Sequence, residues 1–169
     1  MEGLTPRMTH ESAEKLLQKY ADMVFRIAFA RLNHQQQAED IMQDVFVRYI
    51  KKQPSLTDEE HEKAWLIRAT INRVNSYLAS AWFRRTLPLP SETLVAVAQP
   101  DDQARAVRAA VAQLPSLMRL IVYLYYYEGY PTKTIAQLMG KGESAVKTTL
   151  LRARQKLQKL LEETDDELF

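Results

Sequence analysis

The chain has 169 residues, 23 Lys and Arg against 21 Asp and Glu, a formal net charge of +2, and no cysteine. That length bounds it to about one or two domains, and the absent cysteine removes disulfides, thiolate chemistry and any Cys-based zinc site, as expected in a reducing compartment. Hydrophobic residues at 46% suffice for packed cores, the glycine count of 4 argues against a loop-rich or all-β chain, and no apolar run approaches the ~20 residues of a membrane helix. The N-terminal MEGLTPRMTHESAEK lacks the apolar core of a signal peptide. The expectation is a soluble, intracellular, all-helical protein.

Apolar residues recurring at three and four predict a first helix over about 11–32, through Leu16, Tyr20, Met23, Val24, Ile27 and Ala28. A second is expected over about 36–52, with Ala38, Ile41, Met42, Val45, Phe46 and Tyr49 on one stripe. At 100° per residue, Asp40, Gln43, Asp44 and Val47 project to the opposite side. A valine among carboxylates there suits a protein contact, although an ordinary solvated helix accounts for the carboxylates. The third helix opens on a capping box, Thr57 with Glu60 three residues on, and runs beyond Trp82. Arg68, Asn72, Asn75 and Ser76 share one of its stripes, flanked by Trp65 and, further along, Trp82 and Phe83. Leu66, Ala69, Val74, Tyr77 and Leu78 take the core side. Asn is a poor helix former, and amides beside aromatics suit hydrogen bonding to base edges and stacking on unpaired bases. Trp65 by itself fits the core.

The segment Thr86 to Ala104 holds Pro88, Pro90 and Pro100 without a helical period and reads as a linker. The predicted fold is therefore all-α: two small helical domains, 1–85 and 105–169, joined by a flexible linker over 86–104. Shorter helices follow, over about 103–113, 116–128, 132–139 and 144–161. The last two carry the spacing of a helix-turn-helix. Ala136 is the small residue, Gly140 ends the first of the pair, and Ile135, Leu138, Met139, Val146 and Leu150 supply the buried faces. The second helix keeps Ser144, Lys147, Thr148, Arg152 and Arg154 for its outer surface, with no carboxylate from Ser144 to Leu161. Short polar residues near the start can reach base edges while Arg and Lys further on hold phosphates. A packed helical hairpin with a basic outer face has the same pattern.

The charges are segregated. Lys63, Arg68, Arg73, Arg84 and Arg85 have no acidic residue among them, and a second basic excess runs from Asp101 to Leu161. Two such segments suggest contact with a polyanion at two places; solvated helix faces are the alternative. The tail EETDDELF is acidic and is expected to fray in solvent. His10, His34 and His61 show no metal-ligand spacing, and Asp40 with Asp44 has no Gly-rich phosphate loop or nucleophile beside it. Neither catalysis, a metal, a cofactor nor a small-molecule substrate is expected.

Three segments in register resemble the extracytoplasmic-function (ECF) sigma factors, the compact class of bacterial transcription initiation factors. AEDIMQDVFVRYIKK (38–52) is similar to the family's core-polymerase-binding helix, and AWLIRATINRVNSYL (64–78) to its promoter-melting and −10 segment. YYYEGYPTKTIAQLMGKGESAVKTTLLRARQKL (125–157) resembles the domain that reads the −35 element. The resemblance spans about 16–161. It implies that Asp40, Gln43 and Asp44, with Val47, meet the clamp helices of the largest subunit of core RNA polymerase. Arg68, Asn72, Asn75, Ser76, Trp82, Phe83, Arg84 and Arg85 then take the −10 element as opened strand, and Asn72 matches the asparagine of the family's Trp-Leu…Asn pattern. Lys133, Ser144, Lys147, Thr148, Arg152 and Arg154 take promoter DNA at the −35 element as duplex. It also implies a cytoplasmic location and an anti-sigma factor, often membrane-bound, as a further partner. Ser76 stands where many members carry an aspartate, and Lys141 follows the turn glycine where an apolar residue is usual; the latter either loosens the turn or adds a phosphate contact. A stand-alone helix-turn-helix regulator binding an operator is the competing reading, and it leaves the acidic helix and the Asn/aromatic stripe unexplained.

Overall fold

The computed structural model describes residues 7–83 and 101–167, and these are helical almost throughout, with no strand among them. The elements in chain order are α1 (His10–Leu32), α2 (Gln35–Lys52), α3 (Glu59–Phe83), α4 (Asp102–Ala112), α5 (Ser116–Val122), a π turn (Tyr123–Tyr127), α6 (Thr132–Met139) and α7 (Glu143–Glu167). Two compact units divide the chain: Met1–Phe29 with Gln36–Pro88, and Ala30–Gln35 with Leu89–Phe169.

In the first unit α1 begins at Thr9, whose Oγ1 accepts the N–H of Ser12 at 3.1 Å and so satisfies one of the free donors of a helix start. Its inner stripe, Val24, Ile27 and Ala28, is fully buried with Ala38 and Val45 of α2 and Leu66, Ile67 and Val74 of α3. The one buried polar side chain among the described residues is Thr70, which returns its hydroxyl to the Leu66 carbonyl at 2.7 Å. The start of α3 departs from the expected capping box. Asp58, not Thr57, accepts the free N–H, from His61 at 2.9 Å, and the Thr57 hydroxyl turns instead to the His61 ring at 2.8 Å. A carboxylate one residue closer to the helix outcompetes the threonine and accepts the His61 ring nitrogen as well, at 2.8 Å. Those contacts, the backbone bond foremost, hold the Asp58 carboxyl below its ordinary range.

In the second unit α4 starts inside the segment expected as linker, because Asp101 caps it by accepting the Ala104 N–H at 2.7 Å. The helix expected over 116–128 is two elements. After Val122 the chain winds one residue wider, so that the N–H of Glu128 bonds the carbonyl of Tyr123, five residues back, at 3.1 Å. Leu120, Ile121, Leu124, Ile135, Val146 and Ala153 are fully buried here, with Leu114 nearly so. As far as Glu167 the acidic tail is helical rather than frayed. α7 continues to Glu167, because Glu is a good helix former and local bonds sustain the last turns: Gln158 Nε2 to Glu162 at 3.1 Å and the Thr164 hydroxyl to the Leu160 carbonyl at 2.9 Å.

Candidate nucleic-acid interface

On the outer side of α2, Asp40, Gln43 and Val47 are exposed, Val47 to 46%. Asp40 accepts a bond from Gln36 at 3.1 Å. Asp44 is half-buried, because Arg73 of α3 donates its Nε to the Asp44 carboxylate, with Arg48 Nε 3.9 Å from the same oxygen. Ile50, one turn beyond Val47 and exposed to 36%, extends the apolar part of this face. Sequence periodicity missed it, since a residue at the margin of the buried stripe reads as core.

Arg68, Asn72, Asn75 and Ser76 are all exposed on α3, as one outward stripe. Trp65 is half-buried against Tyr49, ring edge to face, with centroids 5.2 Å apart. The Tyr49 hydroxyl donates to Glu62 at 2.8 Å; burial first, and that carboxylate second, push the phenol well above its ordinary value. The pair therefore braces α2 against α3, and the tryptophan belongs with the packing. Trp82 and Phe83 are described only as helical backbone, and Arg84 and Arg85 lie outside the described residues.

The second unit brings Ala136 and Gly140 together with buried Ile135, Leu138, Val146 and Leu150 as the sequence pattern requires, while Met139, expected among them, is only half-buried at the end of α6. Gly140 takes φ +64 and ψ 35. The N–H of Lys141 bonds the Ala136 carbonyl at 2.9 Å and that of Gly140 the Gln137 carbonyl at 3.3 Å, the paired bonds of a Schellman termination. The turn is thus closed despite Lys141, whose side chain is exposed. Glu143 ties the start of α7 to that of α6: it accepts the Thr132 hydroxyl at 3.2 Å and lies 3.3 Å from Lys147 Nζ. The Lys147 hydrogen bond is the main reason its carboxyl titrates below the ordinary range.

Lys133 on α6 and Ser144, Lys147, Thr148, Arg152 and Arg154 on α7 are exposed. At about 100° per residue, Ser144 lies mid-face, Thr148 and Arg152 on one flank, Lys147 and Arg154 on the other. Leu151 stands at the centre of this face, 53% exposed, and was not anticipated. The signal was present: buried positions 146, 150 and 153 leave 151 outward. An exposed leucine among polar residues suits a thymine methyl. Arg154 is held by tyrosines of the π turn, a contact no spacing rule shows. Among the described residues no group of three or more His, Cys, Asp or Glu could hold a metal ion, and no helix is long and apolar enough to cross a membrane.

The Sigma-70 region 2 family model matches residues 16–84, and the model for Sigma-70, region 4 matches 104–157. Helical units carrying those two regions, the second a helix-turn-helix, define a transcription initiation factor. Among curated proteins the chain is similar to the ECF RNA polymerase sigma factor SigX of Bacillus subtilis, 23% identical over 94% of this chain and 88% of that one. It is also similar to the ECF RNA polymerase sigma factor BldN of Streptomyces coelicolor, 29% identical over 87% of this chain and 59% of that one. The solved structure of the sigma factor RpoE in complex with the anti-sigma factor NepR from Bartonella quintana shares the fold, with a TM-score of 0.73 at 21% identity, over 88% of this chain and 96% of that one. The chain belongs to the ECF family of RNA polymerase sigma factors.

Proposed function

We propose that this sigma factor binds the clamp helices of core RNA polymerase through Asp40, Gln43, Asp44 and Val47 and directs the enzyme to promoters read at two elements. The outer face of α7, with Lys133, takes the −35 element as duplex: Ser144, Thr148 and Leu151 at base edges, Lys147, Arg152 and Arg154 at phosphates. The Arg68–Asn72–Asn75–Ser76 stripe of α3, with Trp82, Phe83, Arg84 and Arg85 beyond it, takes bases of the opened −10 element. Extruding a base costs a few kcal/mol, and stacking at about 1–3 kcal/mol per base offsets it. The bounds 1–85, 86–104 and 105–169 divide these tasks, with α4 reaching back to Asp102 and the part of the middle segment before it spanning the spacer between the elements. A cytoplasmic site of action goes with this role. An anti-sigma factor is a further partner on this reading, supported by the similarity to a sigma factor solved with one.

The observation that carries the reading is the exposed amide stripe on α3. An operator-binding regulator uses its helix-turn-helix and has no task for a second, amide-lined surface in another unit. The test is transcription in vitro by bacterial core polymerase on genomic promoter fragments, with and without the protein. Specific transcripts that require the protein, and that vanish with an Asp40→Ala/Gln43→Ala/Asp44→Ala variant, are expected. Tight, sequence-specific operator binding by the protein alone, with no polymerase association, sinks the proposal in favour of the regulator.

A further inference from the structure

An exposed arginine ordinarily samples many rotamers, but Arg154 does not stand free. Its Nε donates to the Tyr126 hydroxyl at 2.6 Å, and its guanidinium lies over two rings, 5.3 Å from the Tyr125 centroid and 5.6 Å from that of Tyr126. The two rings meet edge to face at 4.9 Å, and behind them Tyr127 stacks on Tyr123 at 5.1 Å. Tyr126 is itself 57% exposed, so burial does not explain its orientation. Both tyrosines belong to the π turn, and Arg154 is the partner that meets them from α7.

The Tyr126 bond takes the Nε–H and the rings take a face of the guanidinium, with the Tyr125 hydroxyl as a second hydrogen-bonding partner; of the five N–H donors of an arginine, those that remain can meet a phosphate oxygen. Arg154 follows Lys147 by two turns on the same flank, about 10 Å along the axis. The major groove is about 12 Å wide, so a helix that starts among base edges delivers a residue at that distance to the phosphate wall. We propose that Tyr126, aided by Tyr125, is a positioning residue that presets Arg154 to bind a backbone phosphate of duplex DNA. The inference rests on the reading of α7 as a duplex-reading helix and deepens it.

A phosphate contact carries no sequence information, so the probe is a fluorescein-labelled random-sequence duplex, titrated with the full-length chain by anisotropy across a salt series. Arg154→Ala is expected to flatten the slope of log K against log salt by about 0.9, the signature of one lost phosphate contact. Tyr126→Ala is expected to leave the slope and the melting temperature unchanged while weakening binding roughly two- to tenfold, the ordering cost of one side chain. Tyr126→Phe, which keeps the ring and loses the 2.6 Å bond, falls between. In the Arg154→Ala background, Tyr126→Ala changes nothing further. A Tyr126→Ala variant that binds like wild type, or one whose effect multiplies with that of Arg154→Ala, overturns the positioning role. A wild-type chain that binds no duplex overturns the duplex-reading role of α7 itself, and the inference with it.

Discussion

Gly140 offers the most direct test of how the helix-turn-helix is held. Its backbone is left-handed, φ +64, and a Cβ placed on it meets nothing within 4 Å. Any cost of a side chain there is therefore conformational rather than steric. A left-handed residue bearing a Cβ pays roughly 1–2 kcal/mol, and alanine recovers about 0.4–1 kcal/mol by stiffening the unfolded chain. Gly140→Ala is thus expected to destabilise the second unit by about 1 kcal/mol, the difference between those two figures. Asparagine enters the left-handed region more readily, so Gly140→Asn is expected to cost less than alanine. Urea unfolding by circular dichroism gives the free energies, and hydrogen exchange at the amides of α6 and α7 locates the loss. An alanine variant as stable as wild type, or an asparagine variant no better than alanine, refutes the argument that backbone conformation alone makes the glycine necessary.

Three further outcomes are expected. Asp44 and Arg73 form an ion pair with side chains 38% and 29% exposed, between a surface pair and a buried one, so a double-mutant cycle with alanine should give a coupling of about 1 kcal/mol; strictly additive effects would show that the contact does not form in solution. Ile121, fully buried, should cost about 2–5 kcal/mol when cut to alanine, and a loss below about 1 kcal/mol contradicts its place in the core. The depressed carboxyl of Asp58 stabilises the fold fully above the unfolded value of about 3.9, and that contribution fades as pH falls through its lower folded value. The stability gap between wild type and Asp58→Ala should accordingly narrow on acidification; a gap that stays constant through the acid range rules out the carboxylate charge as its source.

What the sequence makes legible here is what short range determines. The extent of α6 and the glycine that ends it follow from a few adjacent residues, and the outward placing of Asp40, Gln43 and Val47 follows from helical period alone. The cap of α3 was misplaced because two good acceptors, Thr57 and Asp58, stand side by side, and composition does not say which the backbone will use. α7 runs past the expected end at 161 because helix propensity and side-chain bonds four residues apart act against the general tendency of a solvated chain end to fray. Partnerships between helices are a different matter. Arg73 meets Asp44 across 29 positions of sequence and Arg154 meets Tyr126 across 28; both depend on how two helices are rotated against one another, which no periodicity encodes. The candidate surfaces could be read in advance, and the side chains that hold them in place could not.

The wide turn at Tyr123–Tyr127 makes chain length a constraint in its own right. Removing a single residue there without a change of winding takes away about 100° of rotation. Everything downstream would be turned by that angle relative to the buried anchors Leu120 and Ile121, with every residue of α6 and α7 unchanged. The tyrosines would swing away from Arg154 and the outer face of α7 would point elsewhere. Substitutions among the exposed tyrosines are survivable by comparison. A deletion in this partly exposed stretch should be as damaging as a polar residue in the core.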